Sequence, residues 1–310
     1  MRVLLIIRDQ VSRICGQYDT FIRWGGKFLL AVLAFGMIAA DMGRVPLFSG
    51  VPVILALALL CAFLPSNSML LIGTGIVLTE FYGISLEAAL AGGGILVIAL
   101  LLYFSIAPHS AVPLILTMIT MHLGIPAPAA VLFGLTGGPL SAVGIVFGVG
   151  IYYLVVITNR YGGSLVASST DAAEAIVQKM TSLIDAVISN KEMFLMAAAL
   201  AVLMWTVWLI RRMSVRYAWI LAAAAGIVLY TAVCLGGGSF LGVHQDLLLL
   251  AGDAAGAMIT ALLAQTFLFS LDYRRTENVR FEDDAYFYYV KAIPKKKILR
   301  KRRARRSERR

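Results

Sequence analysis

The sequence predicts an all-α, polytopic integral membrane helix bundle of about ten transmembrane segments. Composition is the first reason: 60% of the 310 residues are hydrophobic and 14% are charged. A soluble domain carries roughly 25% charged residues, so this chain has too few polar groups to cover a solvated surface. The second is a mean hydropathy of +0.86. The third is the spacing of charge, which falls in a few clusters separated by long apolar runs.

Crossing a ~30 Å hydrocarbon core takes about 20 helical residues. Apolar stretches approaching that length run over residues 28–41, 50–64, 68–82, 87–106, 110–124, 126–137, 139–157, 193–210, 217–235 and 247–271. The second, third, fifth and sixth are short. Such segments thin the membrane, extend through polar flanks, or form half-helices that meet inside the bundle.

The elements follow in chain order. Residues 1–27 begin with an apolar run too short for a signal-peptide core, so no cleavage is expected. Leu4, Ile7, Val11, Ile14, Tyr18 and Phe21 form one stripe, opposite Arg2, Arg8 and Arg13. That pattern predicts an amphipathic cytoplasmic helix on the membrane surface, ending near Gly25 and Gly26. A first bundle of seven segments covers 28–157. Residues 158–192 open as a loop at Tyr161–Gly163; Asp171 and Glu174 then head an external amphipathic helix carrying Ala173, Ile176, Val177, Met180, Leu183, Ile184, Val187 and Ile188. Packing on its own bundle is the main reading of that helix, and a partner seam the alternative. A second bundle of three segments covers 193–271, and 272–310 is a cytoplasmic tail.

Basic residues set the orientation, because short cytoplasmic loops are enriched in them. Arg2, Arg8, Arg13, Arg23 and Lys27 precede the first segment, Arg211, Arg212 and Arg216 join the eighth to the ninth, and fifteen more follow residue 271. All three groups lie inside if an odd number of crossings precedes residues 158–192. Seven before that stretch and three after satisfy the condition, leaving both termini cytoplasmic. Eight crossings, with 126–157 or 50–82 re-entrant, keep the same parity.

Most covalent chemistry is excluded by motif. HExxH, Walker A and GxSxG patterns are absent, and Gly237–Leu241 lacks the final glycine of the last. His109 is expected at the inner face, His122 and His244 near the outer, so no three-histidine metal site forms. Cys15, Cys61 and Cys234 lie at different depths and suggest no disulfide framework. No cofactor and no enzymatic activity are expected.

Intramembrane charge is the default functional signal in a bundle. Asp253 is its best instance, two turns into the last segment between Gly252 and Gly256, as a structural aspartate or as a substrate or proton site joined by His244 and Asp246. Glu80 and Glu87 bracket an external turn and are expected to be solvated. Breaks in apolar runs are the second signal, since unwound backbone can bind solutes. One contains Ser66, Asn67 and Ser68 after Pro65; the other contains Thr136, Gly137 and Gly138 before Pro139. These residues with Asp253 make a candidate polar site, and tight surface turns are the competing reading. Gly144 and Gly148 have the spacing of helix packing.

The tail has two parts. Phe281–Pro294 combines acidic residues with Tyr286, Tyr288 and Tyr289, a density that favours an ordered strand or extended peptide docked on the loops, or a contact for a cytosolic partner. From Lys295 onward, eleven basic residues face one acid; Lys295, Lys296, Lys297, Arg300, Arg302 and Arg303 are candidates for anionic lipid headgroups. Nucleic acid is a weaker alternative, lacking interleaved aromatics. Residues 1–294 carry equal numbers of acids and bases, so these last sixteen residues supply the whole net charge of +10.

LALALLCAFLP at 55–65, SLEAAL at 85–90, GGPLSAV at 137–143, RRMSVRYAW at 211–219 and DYRRTENVRFEDDAYFYYVKAIPK at 272–295 extend over nearly the whole chain. In these it resembles a family of uncharacterised, permease-like multi-pass membrane proteins of anaerobic Gram-positive bacteria. The resemblance implies one integral domain in the plasma membrane and supplies no mechanism. Two functions follow: a permease-like transport component using the paired breaks, or a non-transporting scaffold recruiting envelope-assembly or cytosolic partners through tail and external helix. A lipid-modifying enzyme ranks third, having no acid/base pair.

Overall fold

The computed structural model describes residues 18–108, 111–162, 172–213, 218–243, 245–268, 277–282 and 287–292. Two compact units divide the chain: Thr20–Leu262, and one formed by Met1–Asp19 with Leu263–Arg310. Outside the described residues lie most of the amphipathic N-terminal stretch, His109, His244, Arg216, Asp171 and, in the tail, Tyr286 and every basic residue from Lys295 onward.

The membrane region is helical. Its elements are α1 (Asp19–Asp41), α2 (Pro46–Ser49), α3 (Val51–Phe63), α4 (Ser66–Ile84), α5 (Leu86–Ile106), α6 (Ala111–His122), α7 (Ala127–Thr136), α8 (Ser141–Gly162), α9 (Ala172–Ile188), α10 (Lys191–Arg211), α11 (Ala218–Leu241) and α12 (Leu247–Leu268). Seven of these, α1, α4, α5, α8, α10, α11 and α12, are long and apolar enough to cross a membrane. The expected ten segments all correspond to helices, but α3, α6 and α7 have only 13, 12 and 10 residues.

Local chemistry sets the ends. Leu64 is forced into extended backbone (ψ 165°) by the proline that follows it, which separates α3 from α4. Ser85 caps α5 by accepting the Ala88 N–H at 3.1 Å, and Asn190 caps α10 through the Met193 N–H at 3.1 Å. The C-terminus of α6 needs glycine: Gly124 has φ +73°, and the N–H groups of Ile125 and Gly124 return to Thr120 O and Met121 O, both at 3.0 Å. That is the Schellman arrangement. Gly25 and Gly26 do not end a surface helix as expected, since α1 runs through them from Asp19. Nor is Tyr161–Gly162 a loop; α8 continues through Gly162.

Polar contacts between helix ends sort those ends onto two faces. On one, Lys27 Nζ donates to Leu64 O at 3.0 Å, joining the N-terminal half of α1 to the end of α3, and Asn67 donates to Pro108 O, joining the start of α4 to the end of α5. On the other, Glu80 near the end of α4 accepts the Arg44 N–H at 2.9 Å, and Asn159 near the end of α8 donates to Asp41 O at 2.8 Å. The end of α6 joins them through His122 and Asp41. By these contacts α1, α4, α6 and α8 end at an Asp41 face, and α3 and α5 end at a Lys27 face. By position along their helices, Arg23, Lys27, Arg211 and Arg212, with Asp19, fall toward the Lys27 face; Asp41, Glu80, Glu87, Glu192 and Asp246 fall toward the Asp41 face, with Arg44, Arg160 and Lys191.

Two of the short helices, α6 and α7, lie in the interior. Eight residues of α6 and seven of α7 are buried, whereas only 11% of the apolar window of α1 is. Gly144 and Gly148 admit α6 against α8, since a Cβ at Gly148 would stand 2.8 Å from Leu114 O. Large apolar side chains such as Leu33, Leu59, Leu101 and Leu248 are exposed on the outer helices, a distribution suited to lipid and not to water. The amphipathic α9 packs on α5 and α8 and buries Leu183 and Val187. Cys61 and Cys234 are buried free thiols.

In the tail, β1 (Glu277–Glu282) pairs antiparallel with β2 (Phe287–Ala292), Val279 opposite Val290 and Phe281 opposite Tyr288. The described part of the predicted extended segment is thus strand, paired with Glu277–Glu282.

Candidate functional site

Asp253 lies on α12 with 2% of its surface exposed. One carboxylate oxygen accepts the N–H of Ala127 at 2.9 Å, and the other accepts the hydroxyl of Tyr230, on α11, at 2.7 Å. Ala127 opens α7, whose first turn has unpaired N–H groups and whose own N-cap, Pro126, makes no side-chain bond. Asp253 thus caps a helix 126 residues away. A negative charge there also complements the helix dipole. Close approach is possible because Gly256, one turn on, leaves room for Pro128; a Cβ would stand 3.3 Å from its Cγ.

The opposite end of α7 meets the opposite charge. The Arg211 guanidinium donates to Leu135 O and, at 3.2 Å, to Gly137 O, carbonyls that the end of α7 leaves unpaired. Along its length α7 touches α10 through Gly134, where a Cβ would stand 2.8 Å from Val207 Cβ and 3.1 Å from Met204 O. A ten-residue helix about 15 Å long is therefore held by a carboxylate at one end and a guanidinium at the other.

A second feature is a cleft between α1, α4, α6 and α8, about 740 Å³ with the open space at its mouth included. Phe35, Ile38, Leu70, Val77, Ile119 and Val155 give it apolar walls, and Asp41, His122 and Tyr152 stand at its Asp41-face end. His122 Nδ1 lies 2.9 Å from Asp41 Oδ2. Asp41 is further fixed through its main chain by Asn159, whose Oδ1 accepts from the Arg44 guanidinium at 2.9 Å.

The predicted polar residues are distributed over both faces. Ser66, Asn67 and Ser68 begin α4 at the Lys27 face, where Ser68 Oγ donates to Pro65 O at 2.6 Å. Thr136 and Gly137 end α7, with Thr136 Oγ1 donating to Leu132 O at 2.7 Å and Gly137 N to Phe133 O at 2.8 Å; Gly138 follows. Among the described residues no hydrogen bond joins the two breaks. Asp253 sits at the other end of α7 from Thr136, about 14 Å away by helix rise. Its partner is Tyr230; Asp246 is exposed at the surface.

Glu80 is a correction. Expected in solvent, its carboxylate is 1% exposed and accepts the N–H groups of Arg44 and Val45. The Asp41–His122 pair was also missed, although crossing parity puts both on one face: each ends an odd-numbered segment. Tyr230 had no sequence signal, being one aromatic in an apolar run.

Tyr288 and Tyr289 lie on β2. Among the described residues no group of three or more metal-ligating side chains occurs. Comparison with protein-family models, curated proteins and solved structures gives no match.

Proposed function

We propose that this chain is a permease-like protein of the bacterial plasma membrane, with ten crossings, both termini in the cytoplasm and α7 as its moving part. Three crossings, α3, α6 and α7, are shorter than the bilayer. The alternation of helix ends supports the count, and the basic Lys27 face supports the cytoplasmic assignment of that face.

One observation carries the transport reading: a half-length helix in the interior of the bundle whose two ends are each bound by a charged side chain from another helix, Asp253 on α12 and Arg211 on α10. Short helices bounded by broken backbone are tolerated at membrane depth where they line a path rather than meet lipid. Asp253 acts as an accessory polar group on α7, and the Thr136–Pro139 break is its hinge. The polybasic tail binds anionic headgroups on the cytoplasmic surface.

The test is a cysteine scan of α7 from Ala127 to Thr136 in reconstituted vesicles, with a membrane-impermeant maleimide applied from either side. Labelling of one position from both sides is the expected result. Positions that label from one side only would refute a moving α7. That outcome favours the scaffold, for which full internal pairing of the Asp253 carboxylate is the supporting observation; co-purification with the tail intact and deleted would then identify its partner.

A further inference from the structure

The α1 helix is tied at its ends and stands off in between. At the Lys27 face it is anchored by the Lys27–Leu64 bond and an edge-to-face contact of Trp24 with Phe63, ring centroids 5.3 Å apart. At the other end Asp41 and Arg44 bind His122 and Asn159. Between these ties α1 is not packed closely along any neighbouring helix, and the cleft lies beneath it. Phe35 reaches across toward Gly73 without filling the space.

We propose that this cleft is a binding site for one hydrocarbon chain of a membrane phospholipid from the Asp41-side leaflet, with the lipid's polar head beside Asp41 and His122. The lining is apolar from Ala34 to Ile38 on α1 and, but for Thr74, whose hydroxyl donates to Leu70 O within its own helix, from Met69 to Val77 on α4. From Ala34 to Asp41 the helix rises about 10 Å, within one leaflet's share of a ~30 Å core. The outward side of α1, with Leu29 and Leu33 exposed, faces the same apolar surroundings. A chain entering from the bilayer crosses no polar barrier. At the cleft's end the side chains of His122 and Asp41 keep 29% and 34% of their surface exposed, so a headgroup can reach both. The proposal rests on the membrane reading of the fold and not on transport.

The test uses the full chain in vesicles of phosphatidylethanolamine and phosphatidylglycerol, doped with a phosphatidylglycerol carrying a diazirine on one acyl chain. After irradiation, adducts are mapped by mass spectrometry. They are expected at Ile38, Thr74 and Ile119, inside the cleft. Thr74→Phe, which fills it, should lower those adducts about tenfold, equivalent to ~1.4 kcal/mol, while Leu101→Phe on the exposed side of α5 leaves them unchanged. Ala34→Leu, a smaller plug on α1, replaces Thr74→Phe if that variant does not fold. Adducts confined to outward residues such as Leu29 and Leu101, or cleft adducts indifferent to both plugs, overturn the proposal. A failed α7 accessibility scan would leave this result unaffected, so the two readings fall separately.

Discussion

Asp253 and Arg211 hold opposite ends of the same ten-residue helix, the first through the Ala127 N–H and the second through Leu135 O and Gly137 O. Neither belongs to that helix. Helix α7 is too short to be stable alone, since isolated helices below about 12 residues are marginal. Its termini have groups that only imported charges satisfy, and the signs of those charges match the helix dipole.

Removing the carboxylate should release that helix. Asp253→Ala leaves the Ala127 N–H and the Tyr230 hydroxyl unpaired in the interior and is expected to cost about 2–4 kcal/mol, the upper range for buried polar groups. Asp253→Asn keeps one acceptor oxygen and should cost less; Tyr230→Phe, which removes one donor, should cost less still. Thermal unfolding in detergent measures all three, and the double change should be clearly non-additive. Equal, additive losses would sink the account.

Close approach of α7 to α10 makes a contrast between glycines. Gly134→Ala brings a methyl to 2.8 Å from Val207 and 3.1 Å from Met204 O, whereas at Gly138 nothing stands within 4 Å. The first should destabilise by about 1–3 kcal/mol, the range for overpacking, and the second should be near neutral. Unfolding midpoints compared on the two variants decide it.

Glu80 organises the turn after α1. Its replacement by alanine frees the N–H groups of Arg44 and Val45, so hydrogen exchange at these two amides should accelerate. Exchange in α5, which does not use Glu80, should stay as it was. Unchanged protection at residues 44 and 45 would contradict the assignment.

Orientation is checked at exposed positions. Tyr82→Cys, near the Asp41-face end of α4, should react with an impermeant maleimide on intact cells, and Met213→Cys, just past α10, only after permeabilisation; the wild-type side chains are 69% and 56% exposed. Cys15 is replaced in both variants to remove background. The reverse pattern would invert the topology.

Helical class, the extent of the apolar segments and the breaks at Pro65 and Gly137 were legible because each is local: hydrophobicity, residues with special backbone preferences, and charge spacing act over a few neighbours. Hence the ten apolar stretches reappear as helices, seven of them long and apolar enough to cross a membrane. Helix length was less legible. Apolar content does not distinguish α6 from a full span; Gly124 and Pro126 end it after 12 residues.

The candidate site was legible in one residue of three. Asp253 declared itself by carrying charge in an apolar run. Tyr230 and the N–H of Ala127 did not, because an aromatic ring and a main-chain amide have no distinctive sequence context.

By itself, then, the sequence determined a helical membrane bundle, its rough segment limits and a net charge that lies wholly in the last sixteen residues. Only the tertiary structure decided that Glu80 is buried, that Asp253 caps α7, that Arg211 closes its other end, and that α1 bridges an apolar cleft. The physical reason is range. Composition and periodicity report what a segment will tolerate around it, but a buried polar group is stabilised by particular donors, and here those come from helices up to 126 residues away.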